Sequence, residues 1–160
     1  MDIKDMIQNF SGTREKEIRG IFASIIILQN RLQTIFDKSD DFLTLKQFML
    51  LTMIIYSDDK TTFTRLGELI GSSRQNVKNL AKCLEEKGFI IIEHEAKNKR
   101  NTEIKLTLKA KKYSVIISEM HQKKLNSIFS DYTDEEIQTF YKIIMKLYGG
   151  VTRTEEEIKG

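Results

Sequence analysis

The chain contains no proline and no tryptophan, one cysteine and two histidines among its 160 residues. Cys83 has no partner for an internal disulfide, and neither His94 nor His121 has a second His or Cys at ligand spacing. Disulfide frameworks and zinc sites are therefore excluded, and no metal or cofactor is expected. Long hydrophobic runs are also missing. The stretches Ile21 to Leu28 and Phe48 to Tyr56 are broken by Ser24 and Thr52, and both fall short of the ~18 residues that cross a bilayer. The first ten residues carry two aspartates and no apolar block leading to a small-residue cleavage site. No secretory signal is read there, so a cytoplasmic location without a membrane partner is expected. No nucleophile and base pair up, and Gly67 and Gly71 lack the Lys-Ser/Thr of a phosphate-binding loop, so an enzyme is not expected.

What the chain does have is 40% hydrophobic and 31% charged residues, the balance of a soluble globular protein. Its length suits one compact domain, or a domain with a dimerisation extension. Without proline, long helices are favoured and punctuation falls to glycine and capping residues. Charge is uneven. Residues 72–112 hold eleven Lys and Arg against five Glu, a net +6 in a chain of +3, which leaves −3 for the rest. Such a local excess points to a polyanion-binding face.

Ile18, Ile21, Phe22, Ile25, Leu28, Leu32, Ile35 and Phe36 recur at helical spacing and predict a long helix from Thr13 to Asp37, preceded by a short amphipathic turn through Ile3 and Phe10. Thr44 to Gln47 is a capping box that opens a helix ending near Tyr56. Thr61 to Phe63 reads as a short extended stretch, Arg65 to Ile70 as a two-turn helix stopped by Gly71, and Ser72 to Gln75 as a second capping box. That box opens a helix with the stripe Val77, Leu80, Ala81 and Leu84 and a stop at Gly88. A short helix, a tight turn and a capped second helix make a helix-turn-helix. Strands are expected over Phe89 to Glu95 and Glu103 to Leu108, joined by a basic loop from Ala96 to Thr102, which places a wing directly behind it. A further helix from Lys109 to about Ser130 follows. After a capping box at Thr133 to Glu136, the last helix runs to a stop at Gly149-Gly150.

The stripe on the helix after Ser72 leaves Gln75, Lys78, Asn79 and Lys82 on the opposite face, joined near its start by Ser73, Arg74 and Asn76. Gln and Asn read adenine bidentately, Arg reads guanine, and Lys and Ser satisfy phosphates, so this set fits a recognition helix in a major groove of double-stranded DNA. In the wing, Lys97, Asn98, Lys99 and Arg100 have the reach and charge for a narrow minor groove. A solvated polar face and a solubilising basic loop are the bland alternatives, and a winged-helix protein-interaction module without specific DNA readout is the rival function. Cys83 is read as a small, partly buried residue, because Glu85 and Glu86 oppose a thiolate and no resolving cysteine exists.

The order of these elements, with Val77-x-x-Leu80-x-x-x-Leu84-Glu85-x-x-Gly88-Phe89 and Arg100-x-x-x-Ile104-x-Leu106-Thr107, resembles the MarR family of winged helix-turn-helix transcription regulators over residues 13–149. The resemblance implies a mainly α fold with a small antiparallel β-hairpin wing and long terminal dimerisation helices. It also implies a homodimer on a pseudo-palindromic operator, acting as a ligand-responsive repressor. By the same resemblance a small-molecule effector would sit between the dimerisation helices and the winged domain, with Phe22, Ile26, Phe48, Met49 and Tyr113 as apolar lining. The family's wing has Asp-x-Arg where this chain has Asn98-Lys99-Arg100, and its frequent Thr-Arg after the helix valine is Lys78-Asn79 here. The corresponding regions are 1–43 and 109–150 for dimerisation, 44–108 for DNA binding, and 151–160 as a polar tail that frays.

Overall fold

The computed structural model describes residues 3–57, 62–95 and 98–160, with the backbone alone at 6–7, 94–95 and 98–102. Its elements are α1 (Ile3–Gln8), α2 (Arg14–Asp37), α3 (Leu45–Tyr56), α4 (Phe63–Ile70), α5 (Arg74–Glu86), β1 (Ile90–Glu95), β2 (Asn98–Leu106), α6 (Leu108–Ile128) and α7 (Asp134–Lys159). The chain divides into two compact units, residues 1–118 and 119–160. Among the described residues no helix is long and apolar enough to cross a membrane.

Helix starts follow side-chain chemistry. Thr13, Thr44, Thr62, Ser73 and Thr133 each take an extended backbone and accept the N3 amide through their hydroxyl, which satisfies one of the orphan donors of a helix N-terminus. At Thr44 and Thr133 the reciprocal bond from Gln47 and Glu136 completes the capping box that the sequence predicts.

The core of the first unit gathers Leu43, Leu50, Leu51 and Ile54 with Phe63, Leu66, Val77, Ala81, Leu84, Phe89, Ile90 and Ala110. These come from α3, α4, α5, β1 and the start of α6, so the helix-turn-helix and the root of the hairpin share one apolar centre. In the hairpin Ile90 pairs with Leu106 and Ile92 with Ile104, all turned toward that core. The alternate positions carry Glu93, Glu103 and Lys105. Lys105 Nζ donates to Glu93 at 2.7 Å and lies 3.4 Å from Glu103. This hydrogen bond is the main reason its pKa is raised above the ordinary lysine value.

Several boundaries differ from the sequence reading. Phe63 is the first residue of α4 rather than part of an extended stretch, because Thr62 supplies the cap. The cap of α5 is Ser73, not Ser72, since the Ser72 amide is used in closing α4 onto Gly67 O at 2.8 Å. Asn98–Thr102 belong to β2 instead of a loop, with a register shift at His94/Glu95; Ala96 and Lys97 lie outside the described residues. Leu108 begins α6, because the Thr107 hydroxyl accepts the Ala110 amide and turns the chain into a helix. Finally, α7 passes through Gly149-Gly150 and continues to Lys159, so residues 151–159 are helical rather than frayed. Neither glycine takes a positive φ. A helical glycine costs only ~1 kcal/mol relative to alanine, no proline follows, and the Thr152 and Thr154 hydroxyls bond back to Tyr148 O and Gly150 O.

Candidate nucleic-acid interface

The site is built around the turn between α4 and α5. Gly71 adopts φ 65°, a left-handed conformation that glycine takes without strain, and its amide donates to Gly67 O, as does that of Ser72. Gly67 has a different task. A Cβ there would stand 2.5 Å from Ser72 O, so the bare backbone is what lets the chain cross over α4 and start α5 close beside it. From that start Val77, Ala81 and Leu84 point inward, each with 0% exposure. The helix is thus seated on its apolar stripe.

On the other side Ser73, Arg74, Gln75, Asn76, Lys78, Asn79 and Lys82 are all exposed. The structure therefore brings together every recognition-helix residue singled out from the sequence. Gln75 Nε2 donates to Asn79 Oδ1 at 3.1 Å, and Asn76 Nδ2 donates to Ser72 Oγ at 2.6 Å. The first of these bonds leaves Gln75 Oε1 to accept and Asn79 Nδ2 to donate, the two roles that reading of adenine N6 and N7 calls for. Lys82 sits 3.8 Å from Glu86, both exposed, a contact loose enough to be exchanged for a phosphate. Cys83 is half-buried. In the wing, Asn98, Lys99 and Arg100 lie on β2, while Lys97 falls outside the described residues.

Two groups that the sequence reading passed over tie the end of this helix to the α2–α3 connection, and that connection to α6. Lys87, its C-cap residue, donates from Nζ to Phe42 O at 2.6 Å and to Gln47 Oε1 at 3.0 Å. Asp40 accepts the Phe42 and Leu43 amides through Oδ1 and the Tyr113 hydroxyl through Oδ2. The Asx turn at Asp40 has a local signal in Asp-x-Phe. Lys87 has none, because its partners are 40 and 45 residues away. Among the described residues no three His, Cys, Asp or Glu side chains gather as a metal site requires.

The five apolar residues expected to line an effector pocket stand in different surroundings. Phe22, Ile26 and Met49 are exposed and Phe48 is half-buried. Tyr113 packs edge-on against Phe89, with ring centres 4.8 Å apart. An apolar hollow of about 410 Å³ does exist, between α1 and α2, but it is lined by Ile3, Lys4, Gln8, Ser24, Ile27, Leu28 and Arg31 and by none of those five.

Residues 43–102, the span from the start of the α3 cap to the second hairpin strand, match the MarR family. This segment is similar to the MarR family. The HTH-type transcriptional regulator SarZ of Staphylococcus epidermidis is 32% identical over 91 residues, which are 56% of this chain and 59% of that protein. The chain thus spans about three-fifths of the curated relative it matches. Among solved structures, Staphylococcus aureus MarR in complex with salicylate and kanamycin superposes with a TM-score of 0.75 at 16% identity, covering 92% of this chain and 97% of that one. The S. aureus MepR–DNA complex superposes with a TM-score of 0.68 at 18% identity, over 87% and 99% of the two chains. The chain is accordingly a winged helix in fold, and the structural likeness extends beyond the matched segment to most of the chain.

Proposed function

We propose that the protein is a sequence-specific DNA-binding transcriptional regulator, not an enzyme, that acts in the cytoplasm as a homodimer on a pseudo-palindromic operator and represses. The observation that carries this reading is the face of α5: seven exposed polar or cationic side chains opposite a fully buried stripe, presented by a glycine-tight turn. In addition, SarZ is a transcriptional regulator and MepR has been seen on DNA. The dimer is supported by α7, which buries no residue within the single chain although it carries Phe140, Tyr141, Leu147 and Tyr148. An apolar surface of that kind is an association surface.

A small-molecule effector is part of the proposal. Phe22, Ile26, Met49 and Phe48 offer apolar contact for it, whereas Tyr113 is engaged by Asp40 and Phe89. Salicylate, which the S. aureus MarR structure contains, is the probe of choice.

The test is enrichment of duplexes from a random pool, followed by a gel shift with the DNA upstream of the protein's own gene. Regulation predicts a recurring inverted repeat and a shift that salicylate reverses. Weak binding to every duplex at all salt concentrations would favour the protein-interaction module instead.

A further inference from the structure

The C-terminal end of α5 is fastened in a way that its burial does not require. From its C-cap onward, three consecutive carbonyls are taken by Thr107 and Lys109, at the entry to α6. Lys109 Nζ donates to Lys87 O at 2.6 Å, the Thr107 hydroxyl donates to Gly88 O at 2.8 Å, and the Thr107 amide donates to Phe89 O at 3.1 Å. The Lys109 ammonium also stands over the Phe89 ring, 4.6 Å from its centre. From the same end, Lys87 reaches the α2–α3 connection at Phe42 O and Gln47 Oε1. That connection is tied in turn to α6 through Asp40 and Tyr113.

We propose that Lys87 is a positioning residue for DNA readout: its ammonium, held by Phe42 O and Gln47 Oε1, sets the angle of the recognition helix, and the Tyr113–Asp40 bond keeps those acceptors in place. This role rests on the DNA-binding reading above.

Leverage explains why one ammonium matters. Gln75 lies twelve residues before Lys87, a lever of about 18 Å at 1.5 Å per residue, so a tilt of about 5° about the C-terminal end displaces it by about 1.5 Å. Hydrogen bonds to a base edge tolerate only a few tenths of an ångström beyond their ideal length. Val77, Ala81 and Leu84 fix how deeply α5 sits in the core, and the ties at its C-terminal end add a fixed point against small rocking about that stripe. A cation at a helix C-terminus with two fixed acceptors resists that motion. Lys87 is exposed, but its ammonium is engaged by two acceptors within the fold, and the role proposed for it is this positioning rather than a phosphate contact.

The experiment measures binding to a duplex that the wild-type protein enriches from a random pool, and to a random-sequence duplex, at several salt concentrations. Lys87→Met keeps the methylenes and removes the charge. It should weaken the enriched duplex about tenfold, in the range of mutations that act through a coupled element, while changing random DNA by less than about twofold and leaving the salt slope unaltered. Lys87→Arg, which retains cation and donors, should recover most of the loss. Added to Gln75→Ala/Asn79→Ala, Lys87→Met should cost little further affinity, because the side chains it positions are already gone. Tyr113→Phe is the second variant and decides the matter if Lys87→Met does not fold; it should lower specific binding about threefold without affecting random DNA.

Wild-type affinity in Lys87→Met or in Tyr113→Phe would overturn the proposal. So would full additivity with the Gln75/Asn79 pair, or an equal loss on both duplexes with a salt slope flattened by about one unit per protomer, the mark of a phosphate contact. If the wild type enriches no duplex at all, it is the DNA-binding reading that fails, and this role falls with it.

Discussion

Gln75 and Asn79 are bonded to each other and exposed, which leaves an amide acceptor and an amide donor on the open face of α5. Replacing both with Ala should weaken an enriched duplex by tenfold or more, since each lost base contact costs about 1–3 kcal/mol, and should spare random DNA. Competition between the two duplexes reads the difference, and equal losses would remove base readout from this helix. Arg100 carries a simpler prediction. Arg100→Ala should flatten the salt dependence by about one unit per wing, and Arg100→Lys should restore the slope but only part of the affinity, because the planar guanidinium is lost. Tyr113 links stability to pH. Burial, and then its bond to Asp40, push the phenol well above its usual range. The folded chain therefore favours the protonated hydroxyl; this contribution is complete below the unfolded pKa of about 10 and diminishes as pH rises beyond it. Melting curves from about pH 8 to about pH 11 should fall more steeply for the wild type than for Tyr113→Phe, and parallel curves would sink the assignment.

At the scale of elements, much was legible because local chemistry decides it. Thr44 with Gln47 and Thr133 with Glu136 cap their helices as their spacing requires, and the stripe of Val77, Ala81 and Leu84 faces the core. Likewise the polar face of α5 follows from that stripe alone. The misread boundaries were those where two elements compete for one residue. Ser72 and Ser73 are both good caps, and only the closure of α4 onto Gly67 decides between them. Leu108 continues the alternation of a strand, yet Thr107 turns it into a helix. Lys87, Gln47 and Asp40 could not be read as a set, because chain separation hides what folding brings together. The turn yields the sharpest stability prediction. Gly67→Ala, with its methyl driven against Ser72 O, should cost about 2–3 kcal/mol or more, while Glu68→Ala next door, losing one exposed ion pair to Arg65, should cost about 0.5 kcal/mol or less. Denaturant titration of the two variants is the check, and a similar cost for both would refute the close crossing.

For the molecule as a whole, α7 is where the proposed homodimer is tested. It has 26 residues and none is buried, so Leu147→Asp should not disturb the fold of the protomer. In sedimentation velocity the variant should shift from dimer toward monomer at micromolar concentration, and an unchanged dimer would place the interface elsewhere. The hairpin bears on how such a particle meets its target. The side of the sheet turned away from the core carries exposed Ile91 and, around Lys105, Glu93 and Glu103, a small patch with one net negative charge among the described side chains at the root of the wing. A duplex drifting in broadside would set its phosphates against two carboxylates within the ~8 Å over which charge is felt at physiological salt. On the proposed DNA-binding function, such an approach would be disfavoured relative to one with the wing end-on at the groove. The patch would then bias encounters by orientation before any base is touched, and its worth would be seen in the association rate rather than in the lifetime of the complex.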